Sequence, residues 1–519
     1  MSEINHNPDI LSCLANLSND EVFTPPEIAN AMLDMIPSDF WKNPNVKVFD
    51  PSCKSGVFLR EAAKRFLKEL EEKMPDLQER IDHIFKRMLF GFSITELTAQ
   101  LSRRSLYCSK TANGHYSITT FKTDHGNILF DKINHTWKNG KCIYCGASED
   151  IYNREEGKET HAYRFIHLKE EKIKELEKMR FDLIISNPPY QLSDGGNGVS
   201  ATPIFNLFVE QAKKLKPRYL SMIIPARWYA GGKGLDKFRD VMLSDSHIRE
   251  LVDYESSKDC FDGVNIAGGI CYFLWDRDHS GKCKITNMTG ENTNIMERSL
   301  SEFPILIRSN TAISIVHKVL AKTADMWSSY ALPRNPFGFA TNYHGREEER
   351  LDDIQILTSK GFQYISRHDV KKNTEIIDAY KILIGRLVPS NGELGVNPKD
   401  GYKVITDTRI IGPAQINTET YLDIGVFFTK NEALNFDKYI KTKFTRFLLR
   451  QAISSLNVTR ECFRFVPIQD FTAQSDIDWS KSIEEIDQQL YRKYGLDEKE
   501  ISFIESSIKP MDFEGDKNE

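Results

Sequence analysis

Short apolar runs, each closed by charge or turn residues, recur through the first half of the chain. Residues 46–50, 88–93, 181–186, 219–225, 248–254 and 269–275 read as strands, because a continuous apolar run of that length suits a strand covered on both faces. Residues 27–35, 61–77, 97–106 and 202–215 carry apolar side chains at helical spacing within charged segments, the pattern of helices that bury one face. Pro25 and Pro26 suit the start of the first helix. Strands alternating with such helices predict an α/β domain on a doubly wound, mostly parallel sheet. The polar stretch at 276–294 predicts that this domain ends near residue 290. Mixed helices and short strands over about 295–510 predict a second, α+β domain, with a helix at 482–490 near its end. The acidic stretch 511–519 predicts a disordered tail. Residues 108–178 are too many for a plain connection and predict an insertion.

The run at 181–186 leads into Asn187-Pro188-Pro189-Tyr190. Two prolines lack N–H donors and hold φ near −65°, so they end a sheet ladder in a stiff, extended corner. In open α/β sheets, ligands bind at the carboxyl ends of the strands. An exocyclic base amine is a poor nucleophile, because its lone pair is delocalised into the ring. Acceptors on both amine hydrogens favour its pyramidal, electron-rich form. The Asn187 side-chain oxygen and the Pro188 carbonyl are suitable acceptors, and Tyr190 would stack on a base held out of its duplex. The plainer alternative is a turn capping a core strand, with Tyr190 as ordinary packing. The strand at 46–50 runs into Pro51-Ser52-Cys53-Lys54-Ser55-Gly56 and then a helix start. Small residues let the backbone approach a ligand, and the helix N-terminus favours the carboxylate of an amino-acid-like ligand.

These motifs resemble those of the adenine-specific DNA methyltransferases. Residues 50–56 are similar to that family's S-adenosylmethionine-binding motif, 187–190 to its catalytic loop, and 22–28 to the segment that packs on the methionine end of the cofactor. Their order is that of the γ class, typical of restriction–modification systems. The resemblance implies a Rossmann-like methyltransferase domain with a C-terminal target-recognition domain. It implies Asn187, Pro188 and Tyr190 as catalytic residues. It implies Phe23, Thr24, Pro25, Asp50, Pro51, Ser52, Cys53, Gly56 and Asn187 around the cofactor. Two departures stand out. Lys54 replaces the usual glycine, so the turn is wider or the lysine points outwards. Ser93 stands where a ribose-binding carboxylate is usual, which leaves Glu96 as the stand-in. Asn127, in Asp124–Ile128, stands where an adenine-ring contact is expected. Double-stranded DNA is the implied substrate, and a cognate restriction endonuclease an implied partner. Alternatives are an RNA-base or protein-glutamine methyltransferase, a cytosine-N4 enzyme (which usually has Ser at position 187), or a non-catalytic specificity subunit that has kept the fold.

Within the insertion, Cys142-Ile143-Tyr144-Cys145-Gly146 is a zinc knuckle by spacing, since two thiolates on one tight turn can bind one ion. His135 is the third expected ligand of a structural Zn²⁺. Cys108, His161 or His167 supplies the fourth, with Cys108 the first candidate. Composition changes this picture little. A net charge of −5 argues against a protein that coats nucleic acid by bulk charge. The basic, aromatic stretch Lys438, Lys441, Lys443, Arg446, Arg450, Arg460 and Arg464 predicts a local DNA-facing surface backed by core aromatics. Arg386 and Arg409 are further candidates. Ala226-Arg227-Trp228-Tyr229, after the strand at 219–225, offers a cationic or aromatic contact to the target strand, or a packing Trp. The glycine-rich stretch 191–199 reads as a loop that closes over substrate. No apolar run is long enough to span a bilayer and no signal peptide is evident, so no membrane partner and a cytoplasmic location are expected. The nine scattered cysteines fit a reducing compartment.

Overall fold

The computed structural model describes residues 22–153, 162–192, 202–261, 264, 266–290, 292–389, 401–453 and 457–511. The chain divides into two compact units, the first ending at Leu306 and the second beginning at Ile307. The strands of the first unit are β1 (Val48–Cys53), β2 (Leu89–Ser93), β3 (Ile128–Leu129), β4 (Trp137–Lys138), β5 (Lys141–Cys142), β6 (Leu183–Ser186), β7 (Tyr219–Pro225), β8 (Ile248–Tyr254), β9 (Ile270–Asp276), β10 (Cys283–Thr289) and β11 (Asn292–Arg298). Nine of them form one sheet in the order β11-β10-β8-β9-β7-β6-β1-β2-β3. The chain builds outwards from β1 to β3, then returns to β6 on the other side of β1. The crevice of a doubly wound sheet lies at this reversal. β3, β2, β1, β6 and β7 are parallel, and β9 runs antiparallel between β7 and β8.

The helices that pack here are α1 (Pro26–Asp34), α2 (Val57–Glu69), α3 (Glu96–Tyr107), α4 (Phe205–Lys214) and α5 (Asp236–Ser244). β1, β6, β7 and β9 are buried along their whole length, which is why β6, β7 and β9 read as largely apolar runs. Three readings of the sequence change. The helix expected at 61–77 starts earlier and stops at Glu69, and a second helix begins at Leu77. β1 runs through Pro51 and Ser52 to Cys53, residues that read as a turn. The polar stretch 276–294 is not a linker: it contains β10 and the start of β11, and the first unit extends to Leu306. β11 lies at the sheet edge and most of its side chains are exposed, so its polarity is that of a half-solvated strand.

The insertion folds onto one face of the sheet's core. Cys142, Cys145, Ala147, Phe165 and Ile166 join Phe49, Phe181 and Phe208 in one hydrophobic cluster. Phe49 stacks on Phe181 at 4.6 Å between centroids.

The second unit holds two three-stranded sheets, β12 (Asp353–Thr358) with β13 (Gly361–Ser366) and β16 (Gln415–Asn417), and β14 (Tyr380–Gly385) with β15 (Arg409–Ile411) and β17 (Tyr421–Phe427). Its helices include α6 (Ala312–Lys322), α7 (Lys430–Lys441), α8 (Lys443–Arg450), α9 (Ile483–Tyr494) and α10 (Glu498–Ser507). The expected basic surface is largely consumed inside this unit. Lys441 pairs with Asp437 at 3.0 Å, both buried. Arg446 is fully buried and donates to the carbonyls of Lys441 and Lys403. Lys438 donates to the carbonyls of Trp479 and Lys481, and Arg450 lies over the Tyr402 ring. Arg460 and Arg464 both pair with Glu461, and Arg386 donates to the carbonyl of Glu419. Arg409 remains exposed on β15. The tail from residue 512 lies outside the described residues, as do 193–199 of the expected substrate loop. Among the described residues no helix is long and apolar enough to cross a membrane.

Candidate active site

Asn187 follows β6 at its carboxyl end, beside β1 and at the reversal of strand order. Pro188 and Pro189 end the strand, and the chain is then held by Ile204 N donating to the Tyr190 carbonyl. The Asn187 side chain is buried. Its Nδ2 donates to the Val22 carbonyl and to Thr24 Oγ1, both at 3.0 Å. A carbonyl can only accept, so this contact fixes which end of the amide is which. Asn187 Oδ1 is consequently turned away from Val22. It is buried and has no hydrogen-bond partner among the described residues.

The three sequence motifs meet here. The Val22 carbonyl also accepts from Lys54 Nζ at 2.9 Å. Ser186 Oγ donates to Asp50 Oδ1 at 2.7 Å, and Ser52 N donates to the same oxygen at 3.0 Å. Ser52 Oγ donates to the Asn187 carbonyl at 3.3 Å. Residues 22–24, 50–54 and 186–187 are thus tied together. Phe23 and Pro25 are half-buried beside them, and Pro51, Cys53 and Pro188 are buried. Lys54 is buried and points inward, not outward: its ammonium replaces the freedom of a glycine with a strut to residue 22.

Asp50 is fully buried, and desolvation raises its pKa to about 6, against lowering contributions from Ser186, Ser52 and Lys54. Burial disfavours the charged form, so the stabilising contribution is complete below the ordinary carboxylate range and is lost as pH rises through about 6. The ligand-free protein is therefore expected to lose stability between about pH 4 and pH 6. Asp50→Asn should flatten that part of a melting-temperature profile; an unchanged profile would contradict the assignment.

Gly56 ends the turn at φ +75°, and a Cβ there would lie 3.2 Å from the Ser102 Cα. Gly56→Ala should cost about 1–2 kcal/mol or more, from the left-handed backbone alone. Chemical denaturation would measure it, and a neutral result would refute the tight approach.

Tyr190 packs with both apolar layers while its residue as a whole is half-buried. Its hydroxyl is buried, and burial pushes its pKa well up, with Cys260 and Cys271 adding to the effect and the Asn187 side chain opposing it. Ser93 closes β2, with its Oγ buried and unpartnered. Glu96 is exposed in the first turn of α3.

Asn127 immediately precedes β3, whose Ile128 is in register with Gly91 and, through it, with Asp50. Its Nδ2 is within hydrogen-bonding distance of the carbonyls of Phe85, Lys86 and Leu89, where it holds the end of a helical turn. That amide nitrogen is thereby engaged with the backbone at the start of β2.

A second constellation lies in the insertion. The ligand atoms of His135, Cys142, Cys145 and His167 all lie within 4.8 Å of one another. Cys142 Sγ is 3.5 Å from His167 Nε2, and Cys145 Sγ is 3.4 Å from His135 Nδ1. His167 Nδ1 faces the Tyr163 carbonyl at 2.7 Å, which orients Nε2 inward. Burial lowers the His167 pKa and so favours the neutral ring that a metal requires. The fourth member is His167 and not Cys108, which is an exposed residue at the end of α3. His161 lies outside the described residues.

The sequence reading missed the Val22 carbonyl, the inward Lys54 and the loop after β8. There Ser257 Oγ donates to the Val264 carbonyl and accepts from Ile266 N, so that Val264 and Ile266 pack beside the cluster that includes Tyr190. No residue type in those stretches signals chemistry; their placement does.

The family profile described as Eco57I restriction-modification methylase matches residues 87–261, and that of N-6 DNA Methylase matches residues 10–139. A relative from Mycoplasma pneumoniae, described as an uncharacterized adenine-specific methylase, is 37% identical over 341 residues, 60% of this chain and 80% of the relative. Among solved structures, the type IIL restriction-modification enzyme MmeI in complex with DNA is similar over 96% of this chain and 77% of its own, at 11% identity and TM-score 0.48. The type I EcoKI M protein is similar over 54% of this chain, at 12% identity and TM-score 0.34. The chain spans 50% of that protein's length.

Proposed function

This chain belongs to the adenine-specific N6 DNA methylases of restriction–modification type, and on that premise we propose that it transfers a methyl group from S-adenosylmethionine to N6 of an adenine extruded from duplex DNA. One observation carries the reading: a buried asparagine oxygen with no partner, on a rigid corner at the sheet reversal. An acceptor in that state is costly unless a donor arrives, and an exocyclic amine is such a donor. S-adenosylmethionine, when bound, supplies a methyl group activated by its sulfonium.

The residues present fit that cofactor. The buried Asp50 carboxylate suits an ammonium, Ser93 Oγ is free for a hydroxyl, and the start of α2 favours a carboxylate. Asn187 Oδ1 and the Pro188 carbonyl accept the two amine hydrogens and draw the lone pair out of the ring. The Tyr190 ring stacks on the base. Thr24, Lys54 and the Val22 carbonyl hold the Asn187 amide in the one orientation that leaves Oδ1 open. Most of the acceleration then comes from orientation and acceptor placement. Because Asp50 must be charged to hold an ammonium, cofactor affinity should rise with pH through about 6. Asp50→Asn should weaken binding and abolish that dependence in calorimetry. Pro25, Phe23, Pro51, Ser52, Cys53 and Gly56 line the same cofactor region, with Glu96 at its rim.

The reading includes a structural zinc ion held by His135, Cys142, Cys145 and His167, a two-His, two-Cys set of the kind that binds zinc tetrahedrally. It has no catalytic part, since methyl transfer needs no activated water. The reading also includes the second unit as the target-recognition module, a cognate restriction endonuclease as partner, and work in the cytoplasm. Incubation with labelled cofactor and duplex DNA tests it: label must appear on adenine.

A further inference from the structure

The segment after β7 is held on every side except at two cations. The Trp228 side chain is fully buried and Tyr229 Oη donates to Asp253. Ala226 N donates to the Gly269 carbonyl, and Leu306 N to that of Tyr229. Arg239 donates to the Ala230 carbonyl and to Asp236, and Asp236 accepts in turn from Gly232 N. Asp236, the acidic residue that follows the turn, is thereby engaged with Arg239 and the backbone.

Arg227 differs. It is half-buried and makes no hydrogen bond, ion pair or ring contact among the described residues. Lys233 follows on a turn in which residues 231–234 all have positive φ, 50° for the lysine itself. A left-handed lysine is costly for an ordinary loop, and such strain marks positions held for a purpose. The lysine lies within electrostatic reach of the guanidinium: the Lys233 pKa is lowered by burial and then by the charge of Arg227. A half-buried guanidinium beside a second cation, with no anion between them, is an unfavourable arrangement until an anion binds.

The position identifies that anion. β7 is the parallel neighbour of β6, so the segment leaves the sheet at the same edge as Asn187. We propose that Arg227 and Lys233 bind a backbone phosphate of the DNA strand that carries the target base. The proposal rests on the DNA-methylation reading above. It assigns the two residues to binding and leaves the chemistry at Asn187 untouched. A planar guanidinium suits two phosphate oxygens at once, and the lysine adds a point charge.

The test is the salt dependence of binding to mixed-sequence duplex DNA, with S-adenosylhomocysteine present. Removing one phosphate contact should make the slope of log K against log salt shallower by about 0.9. Arg227→Gln combined with Lys233→Gln should show that change in full, each single glutamine variant should show part of it, and Arg227→Lys should retain most of the original slope. In turnover, Arg227→Gln should raise KM for DNA about tenfold, as for one lost charged hydrogen bond, with kcat and cofactor affinity unchanged. Unchanged slopes in both glutamine variants would overturn the proposal while leaving the methylation reading intact. A wild-type protein that bound no duplex would remove the premise itself.

Discussion

Asn187→Ala is expected to lower methyl transfer by about a hundred- to a thousandfold, the usual cost of removing one preorganised polar group from a transition state. The loss should fall on kcat, with cofactor affinity kept. The amide's two donors go to Val22 and Thr24, and its oxygen alone is left for a substrate. Alanine removes that oxygen and also releases the segment at residues 22–24. Thr24→Val separates the two effects. It removes one of two bonds that orient the amide, so it should reduce turnover by much less. Equal losses in both variants would point to a structural role for Asn187.

Cys142→Ser combined with Cys145→Ser should remove about one zinc ion per chain and destabilise the first unit, because a structural zinc site holds its segment folded. The ligands are not on an isolated flap. Both cysteines lie in the cluster that contains Phe49 and Phe181, and Phe49 immediately precedes Asp50. The expected result is a lower melting temperature and rapid proteolysis within the insertion. Native protein that contains no zinc, or a double variant with unaltered metal content and melting, would contradict the site.

What the sequence disclosed follows from physics that is local. The run at 219–225 is buried along its length and coincides with β7. The proline corner after β6 is dictated by two residues without N–H donors. The cysteine pair lies on one turn, so its spacing alone suggested a metal. What escaped depends on distant neighbours. His167 is far along the chain from Cys142, and the sequence reading put Cys108 before it as the fourth ligand until the fold brought His167 to the cluster. β3, two residues long, was too short to show as a strand, so the backbone partners of the Asn127 amide could not be foreseen. The basic residues at 438–450 looked exterior by charge, yet Arg446 and Lys441 are buried because carbonyls and Asp437 satisfy them. β11 looked like a linker because an edge strand exposes most of its side chains.

The most direct measurement is the position of transferred label. Purified protein is incubated with S-adenosylmethionine labelled in the methyl group and with duplex DNA, RNA and protein together, and the products are resolved by mass spectrometry. The account requires label at N6 of adenine in duplex DNA, and its disappearance with Asn187→Ala. Label on RNA or on protein glutamine without label in DNA, or full transfer by the Asn187 variant, would contradict it.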